Sequence, residues 1–146
     1  MVGNKPTPKA NESFRIRLTG SLEPNDVREA IIGGKIRATT LRTMRRQLGL
    51  NIEDVADVLG VSKRTVSRKE TNKATLSATE ADRAYRLARI ADMAIELIGD
   101  PKRAFSWMQT PSVYLGGKTP IQMLDTEVGT DLVVESLHAI AYGGVA

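Results

Sequence analysis

A short run of donor-bearing side chains is the clearest chemistry in the sequence. Its members are Lys63, Arg64, Thr65, Ser67 and Arg68. Guanidinium and ammonium groups donate hydrogen bonds to guanine edges and to phosphates, and hydroxyl groups can contact either. These residue types, placed close together, predict a surface that binds nucleic acid.

Residues that could catalyse a reaction are scarce. The sequence has no Cys and a single His, His138, so a metal site or a nucleophile–base pair lacks its parts. The stretch from Gly117 to Thr119 is similar to the end of a phosphate-binding loop, but that motif requires glycine where Ser112 stands. We therefore predict no enzymatic activity, no cofactor and no metal, with His138 at or near the surface of a helix.

The donor-rich run belongs to a segment, Asn51–Glu70, with the spacing of a helix-turn-helix. Ala56 is small where the second helix must pass close to the first, and Gly60 can adopt the left-handed conformation of the turn. Val66 is apolar and fills the corner, and Ser62 can cap the second helix. The second helix of such a motif enters the major groove of DNA.

The expected position of the second helix in the major groove separates candidate base contacts from candidate phosphate contacts. We expect Arg64, Thr65 and Arg68 nearest to the bases. The predicted phosphate contacts are Lys63, Lys69 and Arg46. The full predicted DNA-binding set is Arg46, Ser62, Lys63, Arg64, Thr65, Ser67, Arg68 and Lys69.

Apolar periodicity and capping residues predict helices in the rest of the chain. Beyond the helix-turn-helix, they cover residues 24–32, 36–48, 77–98, 101–108, 119–124 and 126–142. Phe14, Ile16 and Leu18 alternate with polar residues, which allows a short strand but favours an irregular extended arm. Three arginines of the long helix, Arg83, Arg86 and Arg89, are expected on a solvated face.

The predicted fold class is therefore all-α, with an N-terminal helix-turn-helix bundle joined by a long helix to a small C-terminal helical domain. We divide the chain into a flexible N-terminal arm (1–23), a DNA-binding domain (24–75) and a C-terminal domain (76–146). Because one helix-turn-helix contacts a single half-site, we expect a homodimer. The long helix and the Phe14–Leu18 arm are the candidate dimer surfaces.

Charge is distributed unevenly along the chain, whose net charge is +4. Residues 1–73 hold 15 Lys and Arg against 8 Asp and Glu, whereas residues 74–146 hold 6 against 9. A basic first half favours a polyanion such as DNA, and an acidic second half favours a protein partner. No apolar run is long enough to span a bilayer and no signal-peptide core is evident, so we expect a cytoplasmic protein without membrane contact.

Two resemblances follow from these motifs. The segment from Asn51 to Glu70 resembles the Cro/C1-repressor type of helix-turn-helix. Residues from Pro111 to Gly143 resemble the toxin-binding domain of Xre/MbcA/ParS antitoxins. The features that carry this second resemblance are the Leu115–Pro120 loop, the Leu124-Asp125-Thr126 step, Gly129, and the closing Ile140, Tyr142 and Gly143.

The second resemblance implies a partner and a mechanism. The partner is a RES-domain toxin that consumes NAD⁺, and the antitoxin covers its active site and represses their shared promoter as a dimer. The toxin-binding residues implied are Leu115, Gly116, Gly117, Lys118, Asp125, Glu135, Tyr142, Gly143, Gly144, Val145 and Ala146. The chain departs from the family where Ala139 and Ala141 replace residues that are commonly charged.

Two other function classes fit parts of the sequence. A stand-alone dimeric transcription regulator responding to a small molecule would keep the DNA-binding half, although the second half offers few convergent polar groups for a ligand pocket. A protein-interaction adaptor would not bind DNA. Salt-dependent DNA affinity argues against the adaptor, and a toxin gene next to this one argues against the small-molecule regulator.

Overall fold

A computed structural model describes residues 13–143, and within that range every regular element is helical. The predicted all-α class is confirmed. The α-helices of this range are α1 (Phe14–Thr19), α2 (Pro24–Ile32), α3 (Ala38–Gln47), α4 (Ile52–Leu59), α5 (Lys63–Thr71), α6 (Ala78–Ile98), α7 (Pro101–Met108) and α8 (Glu127–Ala141). Two short 3-10 helices, Val113–Leu115 and Ile121–Asp125, lie between α7 and α8. No helix of residues 13–143 combines the length and apolarity needed to cross a bilayer.

Side-chain caps fix where the central helices begin. Asn51 accepts a hydrogen bond from the Asp54 amide at 2.8 Å, at the start of α4. Ser77 caps α6 through the Glu80 amide at 3.1 Å, and the Glu80 carboxylate accepts the Ser77 amide in return. These caps satisfy amides that have no partner within their own helix. The predicted starts of both helices are confirmed.

The segment Phe14–Leu18 is a helix, so the predicted strand or extended arm is wrong. Ser13 caps α1, and the Asp92 carboxylate of α6 accepts hydrogen bonds from the Phe14 amide at 2.6 Å and from Arg15 Nε at 2.8 Å. Phe14 and Leu18, four positions apart, share the buried face of α1. The alternating pattern contains this helical spacing too, and tertiary contacts select it. Of the predicted flexible arm, residues 1–12 lie outside the described range.

Helix α6 is the centre of the molecule. Its buried face carries Ala81, Ala84, Leu87, Ala88, Ile90, Ala91 and Ala94. The small alanines let neighbouring helices approach closely, and α1, α2, α4, α7 and α8 all pack on it. One cluster of buried side chains extends from Phe14 to Leu137. The predicted division at residues 75 and 76 stays a prediction, although the core crosses it.

Two arginines of α6 bond to neighbouring helices instead of facing solvent. The Arg83 guanidinium donates to the Leu59 carbonyl at the end of α4, at 3.1 Å. Arg86 donates to the Leu124 carbonyl at 2.9 Å, and the 3-10 helix containing Leu124 packs against α4. The expectation of a solvated arginine face is therefore wrong for Arg83 and Arg86. Carbonyl oxygens at the ends of helices lack hydrogen-bond donors within the helix, and these two guanidinium groups donate to them.

Candidate DNA-binding and partner-binding surfaces

Helices α4 and α5 form the helix-turn-helix predicted from the sequence. Gly60, between them, has φ +71°, and the Val61 amide donates to the Ala56 carbonyl at 3.1 Å, which closes the turn. Ala56 and Val66 are buried where the two helices meet. The predicted roles of these residues in the turn are confirmed. Within residues 13–143, this geometry leaves one side of α5 exposed.

That exposed side of α5 concentrates positive charge. Arg64, Ser67 and Arg68 are exposed, and their side chains form no hydrogen bond or ion pair with other residues of the described range. With Ile52 and Lys63 they line a shallow groove of about 480 Å³. We call this groove and its lining the α5 surface. Unpaired guanidinium groups keep all their donors available for base edges and phosphates.

Other residues of the predicted DNA-binding set support this surface or lie beside it. Ser62 accepts the Thr65 amide at 3.1 Å, and the two hydroxyl oxygens are 2.9 Å apart. Lys63 donates to Glu53 at 2.8 Å, and this hydrogen bond raises the pKa of Lys63. Both partners are exposed, so the pair can separate when a phosphate approaches. Arg46 is exposed near the end of α3.

Lys69 and Arg45 anchor α5 from behind. Lys69 Nζ lies 2.5 Å from the Glu80 carboxylate on α6, and Arg45 forms two hydrogen bonds to buried Glu70, at 3.0 and 3.1 Å. Burial works to raise the pKa of Glu80, but hydrogen bonds from Lys69 and from the Ser77 amide outweigh it and lower the pKa. Lys69, expected at a phosphate, is therefore already paired within the protein. These ion pairs fix the orientation of α5.

A tight loop displays Lys118 in the C-terminal half. Gly116 and Gly117 have φ +68° and +85°, and Ser112 and Lys118 form a β-bridge across the loop. Lys118 is exposed, as the pair of glycines predicts. Leu115 is 4% exposed and belongs to the core, and its role as a toxin contact stays a prediction. Its apolar side chain anchors the loop.

Helix α8 presents two exposed apolar side chains, Val128 and Leu132, that the sequence analysis did not identify, on the same side as the predicted contacts Glu135 and Tyr142. Val128 is 72% exposed and Leu132 is 37% exposed, and Glu135 and Tyr142 continue the same outward side. We call these four residues the α8 outer face. Val113 adds a 96% exposed side chain from the 3-10 helix that packs against α8. Apolar side chains that are exposed to water on two adjacent elements indicate a surface for a protein partner.

A signal for the α8 outer face was present in the sequence. Val133 and Leu137 form the buried side of α8 and are 0% exposed. Val128 and Leu132 therefore exceed what one buried face requires. A helix with apolar residues on two sides has a second surface to cover, and this excess could have been recognised before the structure.

The remaining predicted partner contacts divide into exposed and undescribed residues. Asp125, Glu135, Tyr142 and Gly143 are exposed, and Tyr142 stacks on His138 with ring centroids 6.1 Å apart. The predicted contacts Gly144, Val145 and Ala146 lie outside the described residues. Helix α8 begins close to the preceding 3-10 helix. A Cβ on Gly129 would lie 2.0 Å from the Met123 carbonyl oxygen, so only glycine allows this approach.

The fold and its two surfaces define a helix-turn-helix protein with a C-terminal helical part. Comparison with protein families identifies both parts. The Antitoxin Xre-like helix-turn-helix domain matches residues 28–89, and the Antitoxin Xre/MbcA/ParS C-terminal toxin-binding domain matches residues 93–143. Both parts of the chain are therefore similar to domains of antitoxins of the Xre/MbcA/ParS type.

Curated relatives carry matching names. The chain is 36% identical to Antitoxin Xre of Photorhabdus laumondii and 30% identical to Antitoxin Xre of Yersinia enterocolitica, over 64% and 62% of this chain. These matches span 64% and 62% of the relatives' own lengths, which is just under two thirds. A protein of Sphingobium sp. (strain YBL2) named "Prs ADP-ribosylating antitoxin" is 26% identical, over 94% of this chain and 92% of its own.

A solved structure shares the fold. The chain matches a chain of the crystal structure of the M. tuberculosis MbcT-MbcA toxin-antitoxin complex with a TM-score of 0.54 and 25% sequence identity. The match covers 75% of this chain and 96% of the other. The matched region is longer than either half of this chain and so includes residues of both. The association of the two parts therefore recurs in the related structure.

Proposed function

We propose that this protein is a cytoplasmic antitoxin that neutralises a RES-domain toxin by covering its NAD⁺-consuming active site. It also represses its own operon by binding promoter DNA as a dimer. The observation that carries the proposal is the α8 outer face, an unsatisfied apolar strip inside residues 93–143, the range matched by the toxin-binding domain. The unpaired arginines of the α5 surface supply the second activity.

The chemistry of the α8 outer face fits a toxin that uses NAD⁺. Its apolar residues are accompanied by exposed Asp131 and Glu135. A cleft that binds the pyrophosphate of a dinucleotide offers cationic groups or helix N-termini, and carboxylates can occupy that positive site. The name of the Sphingobium relative also supports this partner, because ADP-ribosylation takes its ADP-ribose from NAD⁺. The RES class itself is implied by the family resemblance.

The DNA-binding activity rests on the α5 surface. Arg64 and Arg68 project from the helix that lies in the major groove in proteins with this motif. Each guanidinium can form two hydrogen bonds to guanine O6 and N7. Because Lys69 and Arg45 hold α5 from the opposite direction, the exposed arginines start from a fixed backbone position. A preorganised helix loses less conformational entropy on binding.

Co-expression with the neighbouring open reading frame tests the proposal. We expect the neighbour alone to deplete cellular NAD⁺ and stop growth, and the full-length chain to restore both. The variant Val128→Lys/Leu132→Lys should fail to restore them, because it places charge in an apolar contact and next to a cationic cleft. The matched variant Arg64→Ala/Arg68→Ala should restore NAD⁺ and growth fully but release a promoter–reporter fusion from repression.

The outcomes separate the two activities. A harmless neighbour, or rescue by Val128→Lys/Leu132→Lys equal to that of the parent, would contradict neutralisation through the α8 outer face. A regulator that responds to a small molecule would then be the better interpretation. Unchanged repression by Arg64→Ala/Arg68→Ala would contradict the assignment of the α5 surface. Circular dichroism of both variants must match the parent before either result is interpreted.

A further inference from the structure

A second apolar groove lies on the N-terminal half of the molecule, between α2 and the first turns of α6. It has a volume of about 370 Å³ and is lined mainly by Leu22, Val27, Ile31, Ile32 and Tyr85. Leu22 is 48% exposed and Ile32 is 53% exposed. Leu22 precedes α2 and Ile32 ends it, and these two large aliphatic side chains leave apolar surface that a partner can cover. We call it the α2–α6 groove.

Neither DNA nor the toxin is the expected occupant of this groove. Glu23, Asp26 and Glu29 are exposed along α2, and they would repel phosphates. The toxin-binding match begins at residue 93, beyond every residue that lines the groove. The α2–α6 groove therefore needs a different occupant.

The charges at the groove indicate that occupant. Arg28 on α2 and Asp82 on α6 both line it and are exposed. Neither forms an ion pair or a side-chain hydrogen bond with another residue of the described range. A two-fold interface brings the same surface of both subunits together, so one Arg28 can meet the other subunit's Asp82, twice. A groove with an apolar floor and one charge of each sign is complementary to itself.

We propose that the α2–α6 groove is the dimer interface, occupied by the same groove of a second copy of this chain. Apolar residues of the two copies would cover each other, with Arg28 and Asp82 paired across the axis in both directions. The inference deepens the proposed dimeric repressor and rests on it for its role. It also replaces the candidate dimer surface at Phe14–Leu18, whose buried face packs on the chain's own α6.

This interface would also fix the spacing of the two α5 surfaces. Asp82 and Tyr85 lie in the first turns of α6, just beyond the Glu80 that pairs with Lys69 of α5. A contact at the start of α6 is thus connected to α5 by a charge-assisted hydrogen bond of 2.5 Å. Dimeric helix-turn-helix proteins require about one DNA turn between half-sites, and a rigid connection of this kind sets that distance.

Sedimentation equilibrium of the full-length chain, without DNA or toxin, tests the interface. We expect a dimer for the parent and, for Ile32→Glu, a dissociation constant raised on the order of tenfold or more. Arg28→Asp and Asp82→Arg should each weaken the dimer, and the double variant should restore affinity because both pairs re-form with reversed charges. Val128→Lys/Leu132→Lys, at the α8 outer face, should leave the dissociation constant unchanged.

Several results would overturn the inference. These are a monomeric parent, a folded Ile32→Glu variant that dimerises as well as the parent, and a double charge variant weaker than both single variants. Ile32→Glu that weakens a toxin complex but not the dimer would assign the groove to the toxin. Failure of the proposed function gives a different result, namely a dimer that dissociates as predicted in each variant but neither binds its promoter nor protects NAD⁺.

Discussion

Gly60 has two independent reasons to be glycine. Its φ of +71° disfavours any residue with a Cβ, and a Cβ there would lie 2.0 Å from Arg83 Nη1. Arg83 Nη1 also donates to the Leu59 carbonyl, so a shift of this side chain disturbs that hydrogen bond. We expect Gly60→Ala to lower the free energy of unfolding by about 2–3 kcal/mol, from backbone strain and the lost hydrogen bond together.

Gly34→Ala is the matched control for Gly60→Ala. Gly34 has φ +65°, but a Cβ added there meets nothing within 4 Å. Urea unfolding of both variants isolates the Arg83 contribution, because strain alone should cost Gly34→Ala about 1 kcal/mol. Equal losses for the two variants would mean that the contact between Arg83 and α4 adds nothing to stability.

Arg68 and Arg46 separate base recognition from phosphate binding. Arg68 is exposed on the α5 surface, whereas Arg46 is exposed near the end of α3. Arg68→Ala should weaken binding to a selected operator duplex by about 1–3 kcal/mol while changing non-specific binding little. Arg46→Ala should weaken binding to all sequences alike and reduce the salt slope by about one. Titrations at several salt concentrations measure both, and equal operator affinity of Arg68→Ala and parent refutes base recognition by Arg68.

At the scale of helices, the sequence predicts best what is decided locally. The caps Asn51, Ser62 and Ser77 act on amides three residues away, so their pattern is visible in the chain itself. Helix α1 has a local cap too, since Ser13 accepts the Ile16 amide, but its six residues are too few for the apolar pattern to distinguish a helix from a strand. Its first amide is held by Asp92, which is distant in sequence, and no local pattern shows that contact. The hydrogen bond from Arg86 to the Leu124 carbonyl could not be predicted either, because these residues are also distant in sequence.

The connection between α5 and α6 should be sensitive to acid. The pKa of Glu80 in the folded protein lies below its ordinary value, despite burial, because of the hydrogen bonds from Lys69 and Ser77. A lowered carboxyl pKa stabilises the fold above the unfolded pKa, and this stabilisation is lost as pH falls through the folded pKa. Glu80→Gln should therefore cost about 1 kcal/mol at neutral pH and flatten the decline in stability below about pH 4.5.

Glu96→Gln controls for the general effect of removing a carboxylate from α6. Glu96 is exposed and has no partner in the described range. Its replacement should leave both the stability and its pH dependence close to those of the parent. A Glu80→Gln variant with the parent's full acid sensitivity would show that other carboxylates cause the decline.

At the scale of the whole molecule, the two functional surfaces share one core. The 3-10 helix Ile121–Asp125 packs against α4 of the helix-turn-helix, and α6 contacts both halves. Sequence patterns assigned the helices to separate halves because they describe each element alone. These patterns do not predict contacts between elements, since Leu124 and α4 are distant in sequence and come together only on folding. A destabilising change in the C-terminal half should consequently lower the stability of the helix-turn-helix as well.

Leu124→Ala tests whether the two halves fold as one unit. Leu124 is 0% exposed, so its truncation should lower the free energy of unfolding by about 2–5 kcal/mol. Trp107 fluorescence reports on α7, and amide hydrogen exchange reports on α4. Both should shift by the same free energy if the core is cooperative. Leu132→Ala, at a 37% exposed site, should shift them by less than about 1 kcal/mol. If Leu124→Ala alters the Trp107 signal and leaves α4 exchange at the parent's rate, residues 24–75 fold independently. Toxin binding could then influence DNA binding only through direct contact and not through the shared core.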